Sequence, residues 1–276
     1  MPRRAADASD AHWLERIARA RDLAPRHPAA AEILTFYAGL AERQRAIFNQ
    51  STDADDSAVG FGQAVDIAAA LASIPDFLCW LQRDAPAPLA AAARQLDGID
   101  SYGWWRILSE SLSGFRAPDD MEEVVTFVRD ATIQPIAEAL AMSRRPQAPP
   151  PTGVGDAPAH CPICRSDPVV GALREDAEGA RRSLLCARCL TEWRFLRSHC
   201  PRCDERRFEA LPVYTADEFP HVRVEACDTC HTYLKTIDFT KNAMAVPVVD
   251  DLASLTLDLW ARSAGYTRLQ ANILRT

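Results

Sequence analysis

Eight of the nine cysteines fall in four CxxC pairs, Cys161/Cys164, Cys186/Cys189, Cys200/Cys203 and Cys227/Cys230, in the strings CPIC, CARC, CPRC and CDTC. Two intervening residues let both thiolates of a pair turn toward one ion while backbone N–H groups point at the sulfurs. The first and third pairs carry Pro after the leading Cys, and the second and fourth do not. The first and third pairs start about 40 residues apart, as do the second and fourth, which marks an internal duplication. Within each copy 21 or 23 residues separate the pairs, room for two short strands and a turn that bring them together. The spacing therefore assigns Cys161, Cys164, Cys186 and Cys189 to one metal ion and Cys200, Cys203, Cys227 and Cys230 to a second. An interleaved pairing leaves the repeat unexplained.

Four thiolates suit zinc and iron alike in tetrahedral geometry, so the spacing does not choose between them. A complete thiolate shell has no open position for water or substrate, which disfavours hydrolytic metal catalysis. It also leaves no vacancy for His160, His199 and His231, which are expected at the surface or behind the ligands. Arg188, Arg194, Arg197 and Arg202 are available to offset the negative charge of the sites. Trp193 and Phe195 alternate on one strand face, which fits packing beneath a ribbon better than base stacking. The ninth cysteine, Cys79, lies between Leu78 and Trp80 and reads as a buried small hydrophobe.

The elements that must position these pairs follow from periodicity and punctuation. Residues 1–143 read as an all-α domain, rich in Ala, Leu and Arg with apolar residues at helical spacing. One helix should run to about Asn49, with Ile33, Tyr37, Leu40 and Ile47 on one face. Further helices are expected near 62–73, 75–94 and 101–113. Another should open after Pro118, bearing Met121, Val124, Val125 and Val128, and Pro135 should kink or split it. The Pro-rich tract 144–159 reads as a linker. Short β-type runs then surround the cysteines, giving one ribbon over 160–198, a second over 199–246, and a C-terminal helix and tail over 247–276, with the helix near 249–263. The class is α+β: an all-α N-terminal domain, two tandem zinc-ribbon-like β modules and a C-terminal helix.

The chain has 276 residues, with 31 Lys and Arg against 38 Asp and Glu. Residues 1–150 hold 15 basic against 21 acidic side chains and the remainder 16 against 17, so no basic stripe invites nucleic acid. No apolar run is long enough to span a membrane, and Arg3 and Arg4 are not followed by the apolar segment of an export signal, so a cytoplasmic protein is expected. The CxxC pairs lie between β-type runs rather than in the βαβ setting of a dithiol oxidoreductase. There is no phosphate-cradling glycine loop and no evident Ser, His and Asp constellation, and no catalytic or organic-cofactor residue is assigned.

In the strings CPICRSDPVVG, LLCARCLTEWRFLRSHCPRCD, EACDTCHTYLKTID and VPVVDDLASLTLD the chain resembles the formate dehydrogenase accessory protein family, FdhE, over about residues 160–260. The resemblance implies a cytoplasmic factor, not an enzyme, needed to assemble or activate respiratory formate dehydrogenase by binding its catalytic subunit. It carries the family's metal-binding role onto all eight paired cysteines, and the family's rubredoxin-like character makes iron a candidate beside zinc. Asp250 and Asp251 precede the run Leu252, Leu255, Leu259, where acids favour a helix N-terminus; the resemblance offers them a second role in binding the client subunit. A rubredoxin-like redox protein and a nucleic-acid-binding zinc ribbon are the alternatives, and self-association is left open.

Overall fold

The computed structural model describes residues 10–51, 65–110, 121–144, 158–177 and 179–276. The Arg3/Arg4 pair, the helix start after Pro118, the ends of two expected helices near 62 and 113, and most of the 144–159 tract lie outside these residues. The helices are α1 (Ala11–Leu23), α2 (Ala31–Gln50), α3 (Ile67–Asp84), α4 (Ala87–Arg94), α5 (Ser101–Glu110), α6 (Glu122–Ser143), α7 (Pro247–Ala253) and α8 (Leu255–Ser263). The strands are β1 (Pro168–Asp176), β2 (Gly179–Cys186), β3 (Glu192–Arg194), β4 (Val213–Thr215), β5 (Val222–Cys227), β6 (Thr232–Asp238) and β7 (Thr267–Arg268). They form two compact units, one of Met1–Ile17 with Phe36–Arg145, the other of Ala18–Thr35 with Pro146–Thr276.

The first unit is helical, and its core is aromatic. Phe36 stacks on Trp80 at 5.4 Å between ring centres, and Phe77 and Phe127 lie 6.3 Å apart. Tyr37, Leu40 and Ile47 are buried as their spacing requires, while Ile33 is half-exposed. Pro75 was expected to bound a helix, yet α3 starts at Ile67, behind Asp66, whose carboxylate accepts from Ala69 N–H at 2.9 Å, and runs through Pro75. That proline sits on the exposed face, where water can replace the donor it lacks. The break falls instead at Ala85 and Pro86, so the expected 75–94 helix is two segments. Pro135 does not split α6: Gln44 Nε2 donates to Ala131 O at 3.0 Å, the carbonyl that a residue-135 N–H would have served. Cys79 is exposed rather than buried, because the inward face of α3 is taken by Ile74, Phe77, Leu78 and Leu81.

In the second unit the two ribbons merge into one seven-stranded mixed sheet ordered β3-β2-β1-β6-β5-β4, with β7 also pairing β6. Each ribbon is antiparallel within itself. The join is parallel, β1 to β6 through Gly171↔Thr236, Ala172↔Ile237 and Leu173↔Asp238. The first strand of one copy therefore pairs with the last strand of the other, head to tail. Val222, Val224 and Ala226 alternate inward from β5 and pack with Val169, Val170, Tyr233 and Ile237 against Leu257 and Ala261 of α8. The single C-terminal helix expected near 249–263 is two, α7 and α8, because Ser254 leaves helical geometry with ψ of 36°.

Ser254 turns there to serve a buried cation. Lys235 of β6 is fully buried, and its Nζ donates to Ser254 Oγ at 3.1 Å, Asp251 O at 2.5 Å and Asp258 Oδ2 at 2.5 Å. Arg268 of β7 completes the cluster by donating to Asp251 at 2.6 Å and Asp258 at 2.8 Å. A buried charge costs several kcal/mol unless it is paired in this way, so the network fixes α7, α8 and β7 on the sheet together.

Candidate metal centres

Each CxxC pair closes a turn whose next residue has positive φ: Arg165 (65°), Leu190 (52°), Asp204 (56°) and His231 (55°). Four of the five non-glycine residues with positive φ among the described residues thus stand at one repeated position. Side chains adopt this conformation at a cost, and repeating it four times requires a common constraint. The turns are held by shared hydrogen bonds. Arg165, Asp204 and His231 N–H groups donate to Cys161, Cys200 and Cys227 carbonyls at 3.0, 3.0 and 2.8 Å, and Cys161 and Cys200 N–H donate to Ser166 and Glu205 carbonyls at 2.9 Å.

These turns bring the sulfurs together as the repeat requires and not in the interleaved way. Cys161, Cys164, Cys186 and Cys189 form one group and Cys200, Cys203, Cys227 and Cys230 another, with the sulfurs of each group within 4.8 Å of one another. Between the pairs the sulfurs stand 3.3 Å (Cys164 to Cys186) and 3.6 Å (Cys161 to Cys189) apart in the first group, and 3.7 Å for both Cys200 to Cys230 and Cys203 to Cys227 in the second. Bonds of about 2.3 Å to a central ion place tetrahedral sulfurs about 3.8 Å apart. A disulfide would need about 2.05 Å, and all nine cysteines are free thiols. The donor set fits a tetrahedral divalent ion in each group.

N–H groups and hydroxyls aim at the sulfurs. Arg188 N–H lies 3.3 Å from Cys186 Sγ and Arg202 N–H 3.4 Å from Cys200 Sγ, so these arginines reach the clusters through their backbones. Thr191 Oγ1 lies 3.2 Å from Cys189 Sγ and Thr232 Oγ1 3.0 Å from Cys230 Sγ, the same position in each copy. The proton affinities are split within each group. Sulfur neighbours push Cys186 and Cys189 up and Cys164 down. Burial pushes Cys200 up, while Cys230 falls to about 7 because the Thr232 hydroxyl and N–H outweigh its burial. Four neighbouring sulfurs cannot all ionise unless a cation stands among them.

The remaining candidates are placed around the clusters. No histidine belongs to either group among the described residues: His160 Nδ1 meets Asp167 at 2.8 Å, His199 Nδ1 meets Asp204 at 3.2 Å, and His231 is exposed. Arg194 is exposed, Arg197 donates to Ala180 O at 3.2 Å, and Trp193 and Phe195 are both buried. Arg182 was not singled out by its sequence context, a polar position in β2. It is buried, pairs with Glu225 of β5 at 2.6 Å across the ribbon join, and donates to Leu196 O and His199 O just before the third knuckle.

Asp250 and Asp251 are each 1% exposed and are spent on internal partners. Asp250 accepts from Arg19 at 2.6 Å, lies 2.7 Å from His221 Nε2, and accepts from Val246 N–H at 2.7 Å, which caps α7. Asp251 accepts from Arg268 at 2.6 Å and Asn272 at 2.9 Å. Burial opposes their ionisation, yet His221 and Arg19 hold Asp250 below the usual carboxylate range, and Arg268 and Lys235 do the same for Asp251. Neither carboxylate is presented to a partner in this conformation.

The clusters differ in exposure. Cys161, Cys186 and Cys189 are 0%, 0% and 1% exposed, whereas in the second group Cys203 is exposed and Cys230 half-buried. A cleft of about 250 Å³ opens beside the second cluster, with Cys200, Cys227, Phe208, Val213 and Arg223 in its wall. Among the described residues no helix is long and apolar enough to cross a membrane.

A helical region, a mixed sheet carrying two CxxC-type four-cysteine clusters, each able to hold a metal ion, and C-terminal helices packed on that sheet define the class of protein. Residues 160–197 match the model described as FdhE, central domain, and residues 197–274 match that described as FdhE, C-terminal domain. It is 37% identical over 117 residues to an FdhE homologue from Aquifex aeolicus and 39% identical over 113 residues to one from Pasteurella multocida. These alignments cover 42% and 41% of this chain but only 41% and 36% of the relatives, so the chain matches less than half the length of either. The crystal structure of the FdhE protein from Pseudomonas aeruginosa has the same fold, with a TM-score of 0.75, 23% identity and 97% of each chain covered.

Proposed function

We propose that each four-cysteine cluster holds one metal ion, iron or zinc, and that the chain serves as an accessory factor for formate dehydrogenase by binding its catalytic subunit, without a reaction of its own. The match of residues 160–274 to the FdhE central and C-terminal domain models supports the accessory role. The observation that carries the binding reading is the fusion of both clusters into one sheet through β1 and β6, which makes a rigid surface out of elements too small to be stable alone. A bound ion, by crosslinking two knuckles, supplies folding energy and neutralises thiolate charge. A factor that meets its client before export works in the cytoplasm, and the Pro-rich 144–159 tract is suited to link the helical region to the ribbons.

The test uses the full chain purified without oxygen. Elemental analysis is expected to give two metal ions per chain, falling to one in Cys161→Ser or Cys200→Ser. Co-purification with the formate dehydrogenase catalytic subunit should weaken in both variants. A metal-free native chain would remove the metal reading, and undiminished capture of the subunit by the double variant would separate client binding from the clusters.

A further inference from the structure

We propose that the second cluster is the one that exchanges its metal, and that β7 is held on the sheet by the fourth knuckle, so that the strand detaches when that metal leaves. The inference rests on reading both clusters as metal sites.

The first cluster encloses three of its four sulfurs. A chelator or competing thiol must reach a ligand bond before it can displace it, and the first cluster offers only half-buried Cys164. The second offers exposed Cys203, half-buried Cys230 and the cleft beside Cys200 and Cys227. Ligands can be lifted from it one at a time.

The fourth knuckle is also the one to which the C-terminal segment is tied. Gly265, at φ of 88°, ends α8 in a left-handed turn, and Tyr266 N–H closes onto Ala261 O at 3.0 Å. This aims Tyr266 at the knuckle, where its hydroxyl donates to Asp228, between Cys227 and Cys230, at 2.6 Å. Thr267 N–H then donates to the carbonyl of His231, the residue held at positive φ, at 2.7 Å, and Leu269 N–H donates to Tyr233 O at 2.9 Å. A two-residue strand cannot keep this register by itself. The left-handed turn at His231 is enforced by closing Cys227 and Cys230 onto one ion, so losing the ion frees the carbonyl that positions β7. Arg268 on Asp251 and Asp258 still anchors the far side, which confines the release to the amides facing the knuckle.

The experiment follows the full chain, loaded to two metal equivalents by elemental analysis, during titration with EDTA in the presence of N-ethylmaleimide. Peptide mass spectrometry reads cysteine labelling, and hydrogen exchange reads the Thr267 and Leu269 amides. Loss of the first equivalent is expected to label Cys203 and Cys230, leave Cys161, Cys186 and Cys189 protected, and speed exchange at both amides. Tyr266→Phe, which keeps all eight sulfurs, should speed Thr267 exchange about tenfold at full metal content, the weight of one lost hydrogen bond. Simultaneous loss of both equivalents, earlier labelling of the first cluster, or unchanged amide exchange after the first equivalent leaves would overturn the proposal. Uptake of fewer than two equivalents at the outset would instead overturn the metal reading beneath it.

Discussion

Gln44 of α2 stands in for the backbone N–H that Pro135 of α6 lacks: its Nε2 reaches Ala131 O at 3.0 Å and Gln134 Oε1 at 3.2 Å, and it is fully buried. A buried carbonyl without a donor costs about 1–3 kcal/mol. Gln44→Leu is therefore expected to destabilise the helical unit by that amount. Pro135→Ala restores an N–H and should recover most of the loss in the Gln44→Leu background, while adding little to the native chain. A double-mutant cycle by urea denaturation checks the coupling, and additive effects would dissociate the two residues.

Gly171 faces Thr236 at the parallel join of β1 and β6, and a Cβ on Gly171 would overlap Thr236 Oγ1. Overpacking in an interior of this kind costs about 1–3 kcal/mol. Gly171→Ala should lower the thermal midpoint of the sheet unit and leave the helical unit unchanged. Adding Thr236→Ala removes the overlapping oxygen and should restore part of the loss, since Thr236 Oγ1 has no hydrogen-bond partner to forfeit. Calorimetry of the three variants decides the matter, and an unaffected Gly171→Ala would show that the strands can separate without cost.

The cysteine repeat placed the eight sulfurs in their two groups because ligand spacing is local: each CxxC builds its own turn, and 21 or 23 residues suffice for a hairpin. The join between ribbons was not readable, since it depends on Gly171 meeting Thr236 65 positions away and on Arg182 meeting Glu225. The prolines misled for the same reason. Pro135 looks like a helix breaker until Gln44, 91 positions earlier, supplies the missing donor. Asp250 and Asp251 read only as acids at a helix start because their neutralising partners, Arg19, Lys235 and Arg268, come from three separate parts of the chain. Thr191 and Thr232 could have been found, since each stands two residues after the last cysteine of its copy.

Glu138 makes stability in acid a test of the helical unit. Its carboxylate meets Arg16 through two bonds of 2.6 and 2.9 Å, and His12 Nε2 lies 3.2 Å away. Burial opposes ionisation, but the Arg16 and His12 contacts outweigh it and hold the pKa at about 2, below the ordinary 4.5. With the folded value depressed, the stabilisation is complete above pH of about 4.5 and is lost as pH falls toward about 2. Urea midpoints followed by tryptophan fluorescence should fall through that window. Glu138→Gln should lower stability at neutral pH by about 3–5 kcal/mol, because Arg16 is left unpaired, and should flatten the acid slope. An unchanged slope would mean that other carboxylates set it.

Thr191 and Thr232 place a hydroxyl 3.2 and 3.0 Å from the last sulfur of their clusters. A hydroxyl donated to a ligand thiolate draws off charge and fixes the sulfur's orientation, and removing such a partner commonly costs about 10–100-fold in metal affinity. Thr191→Val and Thr232→Val keep shape and lose the donor. Each should weaken its own cluster by that range, measured by competition with a chromophoric chelator, and leave the other cluster unchanged. The loss should be larger for Thr191, because Cys189 is 1% exposed and water cannot replace the donor, whereas half-buried Cys230 can take a hydrogen bond from solvent. Equal losses would make exposure irrelevant to the sulfur's charge, and no loss in either variant would reduce both threonines to packing.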